Sequence, residues 1–394
     1  TSFIILGGAT FDFTVDSKTL TLQGGVEAGH YPIKTAGSGT DRKMLIPNQP
    51  AYIEWWGKRG ISLPTGQVLL RDAAIGATHL IISEGSINIE DNLTLDSSLK
   101  FIEFQNNGQL AKSSGKTLTF SDQELIAPDA MYILKNDSGT FAGTINNDSV
   151  SVHWFGATGD GTTDDEIAIE AAITFSRAGG TITFISGLTY QTDTINISKQ
   201  IRLFGGHLRA KDDIGGNGVI ELAATADDSV VENMTIEVPV TVTGGGGNVA
   251  GIKVHTATDR VRIGNCVFSC SSLLGAVYGR NSTGLIVENC VFKDTPPARY
   301  AIFIVGMVGC VITNCIIIDG ADYGIKVDGG EDNHISGCVI RNATGDGINA
   351  GGTTSNLSII GNTITGCYTR GISLSSGVDD VVISGNNIRD SGAE

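Results

Sequence analysis

The chain has little proline, 8 in 394 residues, and only 6% aromatic residues. So little proline argues against a Pro-rich linker, whereas 53 glycines suit a chain that turns often between strands. There is no Cys-x-x-Cys and no His-x-x-x-His pair, and the six histidines are scattered singly, so neither a transition-metal site nor a cofactor is implied. Positive charge is also scarce. With 26 basic against 42 acidic residues the net charge is −16, a field that repels nucleic acid and anionic membranes. The chain starts at Thr1 with no Met and no basic segment before "FIILGGA", which is too short and wrongly flanked for a signal peptide, so it is expected to begin within a longer protein. Long apolar runs are rare. The one that tempts a membrane assignment, Ala301 to Ile318, belongs to a repeat that argues against insertion.

That repeat organises the chain. The segments "IGNCVF" at Ile263, "VENCVF" at Val287, "ITNCII" at Ile312, "ISGCVI" at Ile335, "IIGNTI" at Ile359 and "ISGNNI" at Ile383 superpose, with starts 24, 25, 23, 24 and 24 residues apart. A second series follows at the same period: "AIFIV" at Ala301, "GIKVD" at Gly324, "GINAG" at Gly347 and "GISLS" at Gly371. Short alternating strands at this period, with 41% apolar residues overall, predict an all-β solenoid of parallel strands, because each coil buries its apolar face only by stacking on the next. Right-handedness follows from the crossover rule for parallel strands. Within "GIKVD" the alternation places Ile325 and Val327 inward and Lys326 outward. Asn289 and Asn314 mark bends, where asparagine tolerates the left-handed conformation.

Cys266, Cys290, Cys315 and Cys338 share one repeat position, and Asn362 and Asn386 continue the column. Parallel inward side chains rarely offer the disulfide dihedral near 90°, so buried thiols are expected. The odd total of seven agrees with synthesis in a reducing cytoplasm.

The stretch "WFGATGDGTTDDEIAIEAAI" from Trp154 has the glycines and acids of a ligand loop, but no Gly-Lys-Ser/Thr follows and adjacent acids repel phosphate. Thr163 followed by Glu166 is a capping-box pattern, so "DEIAIEAAITFSRAGG" is expected to form a helix ended by Gly179 and Gly180, with Asp164 and Asp165 in its first turn.

Followed by "GGTITFISGLTY" and stacked coils, this stretch resembles the opening segment of the pectate-lyase-like superfamily found in phage tailspikes and capsule depolymerases. The resemblance covers about residues 150 to 394; His153 before the Trp and the run "FISGLTY" depart from the usual pattern. It implies a right-handed parallel β-helix with a capping helix at its N-terminal opening, a homotrimer, a place in the virion tail or baseplate reached through the N-terminal region, and a bacterial polysaccharide as partner. The expected organisation is an attachment or assembly region at 1–62, a β-rich segment at 63–150 that is either early solenoid or a small β domain, and the helix proper at 151–394, truncated at its C-terminus. Trp55 and Trp56 in the first region are read as core or assembly residues, and "TGGGGNVAG" near Gly244 as a loop excursion.

A ladder of outward side chains suits a linear polysaccharide. Glycoside hydrolysis takes two carboxylates, about 5 to 5.5 Å apart for retention or 6.5 to 9.5 Å for inversion. Around the second strands lie Asp322, Asp328 and Asp346 as candidate catalytic acids, with Arg299, Tyr300, Tyr323, Lys326, Asn349 and Arg370 as candidate sugar-binding residues. Three functions fit: a glycosidase cleaving surface polysaccharide, a lyase on a uronate polymer with Lys326 beside Asp322 and Asp328, and a non-catalytic fibre or adhesin.

Overall fold

The computed structural model describes residues 78–392, apart from 84, 90, 136–139, 212–213, 215–216, 240–248, 271–273, 294–298 and 320, together with backbone strands at 3–4, 19–21, 26–27, 43–45 and 50–52. Trp55, Trp56, most of the 1–62 region and the loop near Gly244 lie outside the described residues. Two compact units are present: residues 1–157 with 174–177, and residues 158–173 with 178–394.

In the second unit every strand pair is parallel, as a solenoid requires. Each coil contributes two strands to one long sheet and one strand to a ten-stranded sheet that runs from Asp160–Asp164 to Asn387–Arg389. Ile252, Val277, Ile302, Ile325 and Ile348 stand in register on successive coils, all fully buried. On the ten-stranded sheet Phe268 stacks on Phe292 at 4.8 Å between centroids. Such in-register columns let every coil use the same inward positions, which is why the apolar period reads so clearly.

The bends follow the same logic. Asn233, Asn265, Asn289 and Asn314 have φ between 53° and 55°, and Gly337, Gly361 and Gly385 continue the series at 62° to 67°. Only residues that tolerate the left-handed region occupy this slot.

The thiol column is present as expected. All seven cysteines are free and buried, and each thiol of the column donates to the carbonyl two residues earlier, as Cys290 does to Glu288 at 3.2 Å. Burial, the largest cause, pushes the Cys270 and Cys310 thiols up to about 12. At the end of the column Asn362 Oδ1 accepts the Cys338 amide at 2.9 Å, and Asn386 Oδ1 accepts that of Asn362.

The helix is shorter than the sequence pattern suggests, spanning Glu166–Phe175, and its cap differs. Thr163 Oγ1 donates to Asp160 at 2.7 Å instead of capping, while the Asp165 carbonyl accepts the Ile169 amide. The Asp165 carboxylate, 1% exposed, accepts the Thr158 amide at 2.7 Å and the Gly159 amide at 3.1 Å. Asp164 pairs with Lys211. These acids hold a turn together.

In the first unit, His79–Ile82 pairs in parallel with Phe101–Phe104, and Thr117–Ile126 pairs with both Phe101–Phe104 and Thr140–Ile145. The described strands of the 63–150 segment pair in parallel with one another. Phe120, Phe141, Phe155 and Phe175 form an aromatic cluster there, with Phe155 stacked on Phe175 at 5.6 Å.

Candidate functional site

On the second strand of each coil two consecutive residues turn inward, so the outward residues are three apart rather than two. The strand Tyr323–Glu331 shows the pattern: Gly324 and Ile325 are both buried, with Tyr323 and Lys326 half-exposed. The strand register stacks these pairs into two columns. The first holds Ala250, Gly275, Tyr300 and Tyr323, continued by Asp346 and Arg370, and the second holds Glu221, Lys253, Tyr278, Phe303, Lys326, Asn349 and Ser373. A third column, two residues further on, includes Arg280, Val305, Asp328 and Gly351.

The outward face is chemically differentiated along its length. Tyr300 stacks with Tyr323 at 5.5 Å and lies 4.4 Å from Phe303, whose ring is 5.5 Å from that of Tyr278. Burial raises the Tyr300 phenol above its ordinary value, and the exposed Arg299 guanidinium lies 5.5 Å over its ring. Beyond the aromatic rows Lys326 Nζ donates to Asn349 Oδ1 at 2.5 Å, and Asn349 Nδ2 donates to Asp346 Oδ2 at 2.7 Å. Asp346 is 3% exposed and, among the described residues, its Oδ1 has no hydrogen-bond partner, an unusual condition for a buried carboxylate oxygen. Arg370 Nη1 donates to Ser373 at 2.8 Å. Asp328 is half-buried beside Gly352, where a Cβ would come within 2.7 Å of its Oδ1.

The expected residues therefore share one face, but not as equals. Tyr300, Tyr323, Lys326, Asn349, Asp346 and Asp328 adjoin one another, whereas Asp322 sits exposed in the preceding turn, accepting from Thr344 Oγ1 at 3.1 Å. With Ile325 opposite Ile348, Asp322 stands opposite Gly345 and Asp346 opposite Tyr323, so the two aspartates occupy different columns. Asp328 stands opposite Gly351, two positions beyond Lys326 on its strand, and Asp322 stands one position before Tyr323.

Residues missed from the sequence occupy the earlier coils. Glu221 Oε1 accepts the Gly218 amide at 2.9 Å and lies 3.3 Å from Lys253 Nζ, while Oε2 is 2.8 Å from His255 Nε2. Burial pushes the Glu221 carboxyl up, but these donors outweigh it and hold it below the ordinary value. A cavity of about 300 Å³ opens beside them, lined by Lys253, His255, Leu274, Tyr278 and Arg280 among others. The available signal was the repeated "GIKV" at Gly251 and Gly324. Among the described residues no group of three or more His, Cys, Asp or Glu could hold a metal ion, and no helix is long and apolar enough to cross a membrane.

Residues 217–392 match the family model described as right handed beta helix region, in agreement with the parallel coils. No curated protein matches the chain. Similar solved structures include the Dettilon tailspike protein, at 16% identity over 59% of this chain and 48% of that one, TM-score 0.47. They also include the mannuronan C-5 epimerase A-module of Azotobacter vinelandii, at 18% identity over 60% of this chain and 76% of that one, TM-score 0.47. A third is the Family 28 exopolygalacturonase of Yersinia enterocolitica, at 10% identity over 62% of this chain and 66% of that one, TM-score 0.45. The chain spans about half the length of the tailspike. At these identities the likeness concerns the fold alone.

Proposed function

We propose that this β-helix binds a bacterial surface polysaccharide along the outward face of its second strands and cleaves it by glycosidic hydrolysis. The observation that carries the reading is the set of columns from Glu221 to Ser373, where cations, aromatic rings and carboxylates stand in register on successive coils. Coils repeat about every 4.8 Å, so the face is a linear site for a linear polymer. Aromatic rings take the apolar faces of sugars while charged groups orient hydroxyls.

In this reading Asp328 and Asp346 are the catalytic carboxylates, with Asp322 as a third candidate. Asn349 and Asp346 hold Lys326, and Tyr300, Tyr323, Arg299 and Arg370 border the sugar path. A lyase is the second reading, favoured by Lys326, whose Nζ lies 3.1 Å from the Cβ position of Gly351 in the coil beside Asp328. The tailspike resemblance further suggests a homotrimer in the virion tail, attached through its N-terminal region; light scattering of the full chain would then give three times the subunit mass.

The test is depolymerisation of a panel of purified surface polysaccharides by wild type and by Asp322→Asn, Asp328→Asn and Asp346→Asn, each checked for folding. Loss of a catalytic acid or base lowers the rate about 10² to 10⁴-fold. Reducing ends without unsaturation support hydrolysis, and an ultraviolet-absorbing unsaturated uronate supports the lyase. Wild-type rates in all three variants, or binding without cleavage, would reject this catalytic site.

A further inference from the structure

We infer that the cavity lined by Lys253, His255, Tyr278 and Arg280 is a subsite for the carboxylate of an acidic sugar; the inference deepens the polysaccharide reading and rests on it.

The cavity sits where the face lacks large side chains in its first column. Ala250 and Gly275 occupy that column in these coils, whereas Tyr300 and Tyr323 fill it in the next two. A space of about 300 Å³ remains, open to the same face as Lys326 and Asp328. Arg280 is two coil steps from Asp328 in its own column, about 10 Å along the axis at 4.8 Å per step. One polymer chain could engage both.

Its charge runs against that of the whole molecule. The chain carries a net −16, yet this lining presents Lys253, Arg280 and the ionisable His255, none of the described lining residues is an acid, and Glu221 pairs with two of them from the preceding coil. Both Glu221 oxygens are already engaged, one by the Gly218 amide and Lys253, the other by His255. Glu221 therefore fixes the two side chains in place. Arg280 is exposed and, among the described residues, has no carboxylate partner. A guanidinium presents paired donors that match a carboxylate, and it keeps its charge at any working pH. Tyr278 supplies a ring on which the sugar can rest, braced by Phe303 at 5.5 Å. A neutral sugar would leave this surplus positive charge uncompensated.

Saturation-transfer NMR with glucuronate, the neutral isostere glucuronamide, glucose and inorganic sulfate tests the assignment on the full chain. Glucuronate should bind saturably with a Kd in the range of about 1 to 10 mM, and glucuronamide and glucose at least about tenfold more weakly. Arg280→Gln should weaken glucuronate about tenfold, equivalent to about 1.4 kcal/mol, and Arg280→Lys, which keeps the charge without the fork, should fall between. Melting curves confirm that each variant is folded. Equal binding of glucuronate and glucuronamide, sulfate binding tighter than glucuronate, or an Arg280→Gln affinity within twofold of wild type would overturn the inference. Polymer cleavage with an indifferent cavity would sink this subsite and leave the proposed function standing, while glucuronate binding without any polymer cleaved would do the reverse.

Discussion

Two strands of this chain carry the same four residues, Gly-Ile-Lys-Val, at Gly251–Val254 and Gly324–Val327, three coils apart in the same column. Their backbones do the same thing: glycine and isoleucine turn inward, lysine turns out, and valine returns to the core. Their lysines do not. Lys253 points at Glu221, in the preceding coil, and shares it with His255. Lys326 points at Asn349, in the following coil, with Asp346 behind it. One lysine is half of a charge pair, and the other ends a chain of neutral and anionic acceptors. The strand sequence sets the slot, and the neighbouring coils set the chemistry.

The largest effect is expected where the two strands are alike. A Cβ on Gly251 would lie 2.7 Å from the Ala276 carbonyl oxygen, and one on Gly324 would lie 2.6 Å from that of Gly347 and 2.8 Å from Ile340 Cγ2. Neither carbonyl can withdraw without opening the ladder. Gly251→Ala and Gly324→Ala should each destabilise by about 1 to 3 kcal/mol, the usual range for overpacking, and by similar amounts. Denaturant titration measures both. If one variant melts like wild type, the two strands do not share a slot and the comparison fails.

How far this could be read from sequence depends on the same distinction. The inward columns repeat with every coil, so Cys266 to Cys338, the bend asparagines and Ile325 were legible from spacing. Outward partners were legible only where coils keep equal length. Glu221 and Lys253 are register partners 32 residues apart, against the 23 to 25 residues of the later coils. The eye that follows a 24-residue period passes over them. The candidate aspartates stand in different columns for a finer reason. Asp322 and Asp346 are 24 residues apart, but their coils are in register at 23, as Ile325 and Ile348 show, and a shift of one residue changes the column.

The smallest effect tests the partner that only one lysine has. Glu221 is held below its ordinary carboxyl value of 4.5 by the Gly218 amide, His255 and Lys253 acting against burial. A group whose folded value is depressed stabilises the fold above its unfolded value, and loses that contribution as pH falls through the folded one. Wild type should therefore exceed Glu221→Gln in stability at neutral pH. The gap should start to close below about pH 4.5 and vanish once Glu221 is protonated in the folded protein. Partial solvent screening keeps the gap within about 0.2 to 1 kcal/mol, the range of exposed pairs. Melting temperatures of both proteins across pH 3 to 7 provide the comparison, with Asn349→Leu as the matching change beside Lys326. That variant removes an amide rather than a titrating acid, so its own gap from wild type should not follow Glu221. If the Glu221→Gln gap is flat with pH, or widens as pH falls, Glu221 is not the anion that holds Lys253, and the two lysines differ less than their neighbours imply.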